Sequence, residues 1–326
     1  MSVFSDQRVI DFIRANFIPV TTDINKTIHR RDDVGDFFRK IAEQGHYAGR
    51  TKPTTTRQGL YVSMADGQLL ASINSTGADE VLKMMKHAVT KFEKIKKDEQ
   101  PEISDTFESD KKFTATVPPG GMILRVTCRD LPRESDADHE TWRHNFDNLW
   151  LTAEEVNSFV APREEDDVKI GHEYEIPSAI ISRIARFHFL DHVRGEAPGW
   201  QPKSVKIANA TAKVVGVATD EIQIELTGRV KCVQDPDKEV NAYTGFVIDS
   251  ESGIDLRLSA RMTWNVDRAA FTRFDWVAYG DRWGTATYNF RHNDMEANPI
   301  GFTLNLLPTI PENMTQPKYI LQSYYD

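Results

Sequence analysis

Between Ile254 and Val266 the chain alternates without a break. Ile254, Leu256, Leu258, Ala260, Met262, Trp264 and Val266 hold one phase, and Asp255, Arg257, Ser259, Arg261, Thr263, Asn265 and Asp267 hold the other. Successive side chains of an extended chain point to opposite faces, whereas a helix would spread these apolar residues around its whole circumference. The segment is therefore a strand with one face buried. The same rhythm runs through Met122, Leu124, Val126 and Cys128; through Ile222, Ile224, Leu226, Val230 and Cys232, with Gly228 interrupting; and through Phe274, Trp276 and Ala278. It continues in Ala286, Tyr288 and Phe290 and ends in Phe302, Leu304 and Leu306. About seven or eight strands follow, enough for a curled antiparallel sheet, a sandwich or an open barrel.

One segment breaks this rhythm. In Ile176–Trp200, Pro177 suits a first helical turn and Ile180, Ile181, Ile184 and Phe187 recur at helical spacing. This predicts a buried central helix over residues 177–192, with Arg183 and Arg186 on a partly wet edge. Thr152 and Glu155 form a capping box ahead of a short helix reaching Phe159. The acidic runs from Glu134 to Asn148 and from Glu164 to Asp167 read as solvated loops, and the chain beyond Pro308 as an irregular tail that Tyr319, Leu321, Tyr324 and Tyr325 pin to a neighbouring surface.

Ahead of the β-rich part, residues 1–95 mix helix and strand. Ser5 or Asp6 caps a helix with Val9, Ile10 and Ile13 on its apolar face, and Phe17–Thr22 follows as a short strand. Asp32 or Asp33 opens a second helix with Val34, Phe37, Phe38 and Ile41 on one face, weakened by Gly35 and closed by Gly45. Leu60–Met64 and Leu69–Ile73 are joined at Ala65-Asp66-Gly67, a hairpin signal, and Val81, Met85, Ala88, Val89 and Phe92 mark a last amphipathic helix. The charged run KKDEQPEISDTFESDKK then makes residues 96–117 a linker to a second domain over residues 118–326.

The phrases SDQRVIDFIRANFIPVTTD, GLYVSMADGQLLASINS and DEVLKMMKHAVTKF resemble the later parts of a thioredoxin-like domain, in which a helix leads to a strand ending near an Asp and a hairpin with an Asp-Gly turn precedes the last helix. The likeness covers about a third of the chain. It implies an α/β module in front of the sheet, an α+β chain overall. Two departures remove the chemistry that the resemblance would otherwise imply. There is no C-x-x-C, the first cysteine being Cys128, and the place of the family's cis-Pro holds Arg57-Gln58-Gly59.

Composition narrows the function further. Of the residues 40% are hydrophobic and 27% charged, as in ordinary globular proteins. A net charge of -9 and a pI near 5.6, with no Lys/Arg stripe along the sequence, weigh against nucleic acid as a partner. No apolar run is long enough for a membrane span. Cys128 and Cys232 read as buried free thiols, with a single bridge between them left open. The chain as written carries no signal peptide, which points to the cytoplasm unless a leader lies upstream.

Three places carry candidate chemistry. Four residues apart on a helix, His188 and His192 share a face and could hold a metal with Asp191 or Glu196, although Phe189 stands where H-E-x-x-H needs its glutamate. His139 and His144 sit among Asp136, Asp138 and Glu140 without a recognised ligand order. Glu196, Asp281, Arg282 and Trp283 flank glycines at the ends of apolar elements, the setting of a ligand-binding cleft between helix and sheet; the plainer reading is an Asp281–Arg282 ion pair shaping a turn.

These features point first to a non-catalytic protein binding a small molecule or a protein. A metal-dependent enzyme and a thiol–disulfide protein lacking its upstream C-x-x-C are the alternatives; no cofactor is specified.

Overall fold

The computed structural model describes residues 3–22, 24–28, 30, 32–48, 57–95, 115–132, 144–161, 168–236, 250–286, 288–307, 309, 317, 324 and 325, without the side chains of residues 25 and 26. They belong to two compact units, one within Met1–Ala115 with Pro311–Gln322 and one within Thr116–Ile310 with Ser323–Asp326. Most of the expected linker, the histidine-bearing stretch with His139, Asp136, Asp138 and Glu140, the run Glu164–Asp167, and Tyr319 and Leu321 lie outside the described residues.

In the first unit Asp6 caps α1 (Gln7–Asn16) by accepting from Arg8 N, and Asp32 caps α3 (Asp33–Gln44) by accepting from Gly35 N; α2 (Ile24–Thr27) lies between them. β1 (Leu60–Ser63) and β2 (Leu69–Ile73) pair as an antiparallel hairpin, and α4 (Ala78–Glu93) follows. Val3 and Val9 pack with Val81, Leu82, Met84 and Met85, because the i, i+3, i+4 spacing puts those α4 residues on one face.

Two expectations for this unit are corrected. Residues 17–22 form no strand: Phe17 closes α1 on the Ile13 carbonyl, and Ile18 and Val20 are 93% and 87% exposed. The hairpin is the unit's whole sheet among the described residues, so an extended segment here has no ladder to join. In α3, Ile41 is buried as expected and Phe37 and Phe38 are half-buried, but Val34 is exposed, and Gly35, Asp36, Arg39 and Ala42 are buried as well. Arg39 makes this possible, donating from Nη1 to the carbonyls of Ile28 at 2.8 Å and Arg30 at 2.7 Å, while Nη2 pairs with Asp36. Gly35 meets Arg30 so closely that a Cβ would stand 2.4 Å from its carbonyl oxygen.

The second unit is built on one antiparallel sheet of eight strands, as the alternation demands. They are β3 (Met122–Asp130), β4 (His144–Leu151), β5 (Glu173–Glu175), β6 (Val205–Val217), β7 (Glu221–Gln234), β8 (Ser252–Asn265), β9 (Ala270–Trp283) and β10 (Asn298–Leu306), in spatial order β4-β3-β10-β9-β8-β7-β6-β5. β6 to β10 run as a meander, and the chain's earlier β3 and β4 add to the far side of β10, leaving an open sheet with edges at β4 and β5.

The face carrying Ile254, Leu256, Leu258, Leu226, Phe274, Trp276, Phe302 and Leu304 is buried. Phe159, just beyond α5 (Ala153–Ser158), meets Phe274 edge-on at 5.4 Å, and Phe189 packs against Phe302 at 5.3 Å. α6 (Ser178–His188) covers part of this layer and packs on β6, β7 and β4.

Here too the structure departs from expectation. α6 ends at His188, where Phe189 leaves helical geometry at ψ 70°, short of residue 192. Arg183 is buried, not on a wet edge: its guanidinium pairs with Glu155 of the α5 capping box and lies 4.6 Å from the centre of the Tyr324 ring. The stretch from His144 belongs to β4 rather than a loop. The described residues among 286–290 belong to no strand; Tyr288 forms an isolated bridge to Glu196, and Phe290 has φ 53°.

A Gly35→Ala change forces a methyl against the Arg30 carbonyl and is expected to cost about 1–3 kcal/mol by overpacking. Urea unfolding of the full chain, followed on the transition of the first unit, measures it; an unchanged midpoint contradicts the close approach.

Candidate functional site

The rhythm that makes Val126 and Cys128 core residues puts Asp130 on the same face at the end of β3, and the rhythm of Trp276 and Ala278 brings Arg282 to that face near the end of β9. Both are buried, at 4% and 1% exposure. Asp191 and Arg194 come from the turn after α6, and Arg291 and Asp294 from the β9–β10 connection. Three arginines and three aspartates thus converge at one end of the buried layer.

Arg291 is its centre. Nε and Nη2 donate to Asp191 at 2.7 and 2.9 Å, Nη1 and Nη2 donate to Asp130 at 2.9 and 2.6 Å, and Nη1 also donates to Asp294 at 3.0 Å. A guanidinium has five N–H donors in a fixed fork, and here each has a carboxylate oxygen. Arg194 Nη2 adds contacts to Asp130 at 3.1 Å and Asp294 at 3.0 Å. Arg282 donates to the side chain and the carbonyl of Asp294, while its Nε, 4.0 Å from Asp191, has no hydrogen-bond partner.

The electrostatics follow from this geometry. Burial alone would raise the Asp130 carboxyl, but the hydrogen bonds and charge of Arg291, with Arg194 and Arg282 beside it, hold it below the usual carboxylate range. Burial and the neighbouring Arg291 charge lower Arg282, whereas Arg291, also penalised by burial, is raised because Asp191 and Asp130 bond to its charged form. A carboxylate held this low, with its oxygens engaged by arginine, is poorly suited to take a proton near neutral pH. What the cluster does is join β3, the turn after α6, β9 and the β9–β10 connection.

The expected cleft does not assemble. Asp281 and Arg282 are consecutive in β9 and so point to opposite faces: Asp281 is exposed while Arg282 is buried against Asp294, which excludes both a shared cleft wall and an Asp281–Arg282 pair. Trp283, on the Asp281 side, donates from Nε1 to Glu251 at 3.0 Å. Glu196 is half-buried and its N–H donates to the Tyr288 carbonyl at 2.9 Å. That close approach is why residue 195 is glycine, since a Cβ there would lie 2.0 Å from the Tyr288 oxygen.

The two helix histidines are likewise separated. Because α6 stops at His188, they do not share a helical face. His188 Nε2 meets Tyr324 Oη at 2.5 Å, and its Nδ1 lies 3.0 Å from Asp147 Oδ2, off the hydrogen-bonding direction. His192 Nδ1 accepts from Ala197 N at 3.1 Å. His144 stands exposed on the edge strand β4. Among the described residues no group of three or more His, Cys, Asp or Glu side chains is placed to hold a metal. Cys128 and Cys232 are free and buried; burial pushes both thiols up to about 12, with the Asp191 charge adding to the effect at Cys128.

Of the cluster, sequence reasoning had singled out Arg282 for a cleft and Asp191 as a metal ligand, and had missed Asp130, Arg291 and Asp294. A charge in the buried phase of a strand was the available signal for Asp130. None existed for the loop residues Arg291 and Asp294.

Asp130→Asn leaves the buried cluster with three arginines against two carboxylates and is expected to cost about 3–5 kcal/mol. Because the folded Asp130 binds its proton less readily than the unfolded one, its contribution is complete well above the ordinary value of 3.8 and is lost as pH falls below it. Urea midpoints of the wild type and the Asn variant should therefore converge on acidification. Tyr324→Phe strips Oη from His188 and from the Trp150 N–H that it meets at 3.2 Å, for an expected loss of about 1–3 kcal/mol in the same assay. No family model, curated protein or solved structure matches the chain.

Proposed function

We propose that the chain is a non-catalytic two-domain binding or interaction protein whose N-terminal module is thioredoxin-like and redox-inactive. The observation that carries this reading is the state of the thiols. Cys128 and Cys232 are buried in the sheet of the second unit and pushed up to about 12, so neither is a thiolate near neutral pH, and thiol exchange proceeds through the thiolate. The first unit has no cysteine at all. Its order of α1, α3, the β1–β2 hairpin and α4 supports the thioredoxin-like reading, while the exposed residues 18–22 depart from it.

The charged groups of the cluster point the same way, since Arg291 and its three carboxylates are spent on one another. What the second unit leaves for partners is the other face of its sheet, broad and polar.

A thiol reagent such as DTNB should leave both cysteines of the native protein unmodified until denaturant is added, and the protein should not accelerate dithiothreitol-driven insulin reduction. Rapid native modification together with insulin reduction overturns the reading in favour of a redox protein. A stoichiometric transition metal found by elemental analysis and lost in His188→Ala overturns it in favour of a metalloenzyme.

A further inference from the structure

The outer face of the sheet carries an order that no stretch of sequence displays. Register places Arg229 opposite Arg257, Arg257 opposite Tyr279, Tyr279 opposite Gly301, Gly301 opposite Arg129, and Arg129 opposite His144. These six residues form one row across β7, β8, β9, β10, β3 and β4. With strands about 4.8 Å apart, the row is roughly 24 Å long. The five side chains are exposed, Tyr279 by 45%, and between Tyr279 and Arg129 the side chain of Leu131 lies over the buried Gly301, 3.0 Å from where a Cβ would stand.

The neighbouring row in the same register is Thr227, Ser259, Val277, Thr303, Thr127 and Phe146. In a chain with 49 acidic and 40 basic residues, these two rows contain three arginines, a histidine, four Ser/Thr hydroxyls, the Tyr279 hydroxyl and no carboxylate. The rows beyond are mixed in charge, with Glu225, Arg261, Asp275 and Arg125 past the hydroxyl row and Lys231, Asp255 and Asp281 past the basic one.

Like charges directly opposite each other destabilise a sheet, yet Arg229 and Arg257 are paired in this way. Arg229 is engaged by Asp255 at 2.7 Å, whereas Arg257 and Arg129 have no carboxylate partner among the described residues.

We propose that this band binds a linear carboxylate-bearing polysaccharide, a polyuronate chain lying across the strands. Arginine forks match carboxylates, threonine and serine hydroxyls both donate and accept toward sugar hydroxyls, and Tyr279 supplies a flat apolar wall. Single-stranded nucleic acid fits less well, since its sites stack successive bases on several aromatic side chains and the basic row holds one tyrosine. The proposal rests on the binding-protein reading and names the ligand class of its open face.

The test measures polygalacturonate binding to the full chain by calorimetry at low salt. Wild type binds, and Arg129→Ala with Arg257→Ala weakens binding at least tenfold. Raised salt weakens it too, and the melting temperature of the double variant stays that of wild type because both side chains are exposed. Absence of binding overturns the proposal, as do equal binding of neutral dextran, unchanged affinity in the double variant, or tighter binding of oligo-dT through the same arginines. None of these outcomes alters the thiol and metal assays on which the binding-protein reading stands, so the two fail separately.

Discussion

The second unit depends on the saturation of one buried guanidinium. Arg291 spends all five donors on Asp130, Asp191 and Asp294, and those three carboxylates arrive from the end of β3, the turn after α6 and the β9–β10 connection. An ion of this kind is expensive to bury, and the attraction offsets the cost only when geometry and hydrogen bonds are nearly complete. The cluster therefore joins the end of β3, the turn after α6 and the β9–β10 connection at one point.

From this joint the division of the sheet follows. Its inner face is closed by α6, Phe159, Phe189 and the cluster, and Tyr324 adds a polar contact to His188 and Trp150. The outer face keeps the polar phase of every long strand in solvent. Residues two apart in one strand share a face, and residues opposite in neighbouring strands extend it sideways, so rows of one chemical character arise without any sequence motif. The first unit rests on a smaller apolar contact between α1 and α4 and on the buried Arg39, which takes over carbonyls that would otherwise lack donors.

Much of the sheet was legible from period alone. Ile254–Val266 could not satisfy a helix, and its strand, with those around Leu226, Trp276 and Phe302, lies where the alternation placed it. Local chemistry was equally readable in the Asp6 and Asp32 caps, the Thr152–Glu155 box and the Asp66-Gly67 turn, because each is decided within four residues. Misreadings arose where a pattern was right but its partner was absent: Phe17–Thr22 has no strand to pair with among the described residues, and Tyr288 meets only Glu196, in an isolated bridge. His188 and His192 looked like a metal pair only while the helix was assumed to continue.

The sequence by itself determined the antiparallel strands and their buried phases, because periodicity and turn residues act locally. Only the tertiary structure decided that Asp130, Asp191, Arg282 and Arg291 meet, that Asp281 and Arg282 part, and that Arg229, Arg257 and Arg129 stand in one row. Those outcomes depend on strand order and register, and register is set by how whole faces pack against one another rather than by any residue's neighbours along the chain.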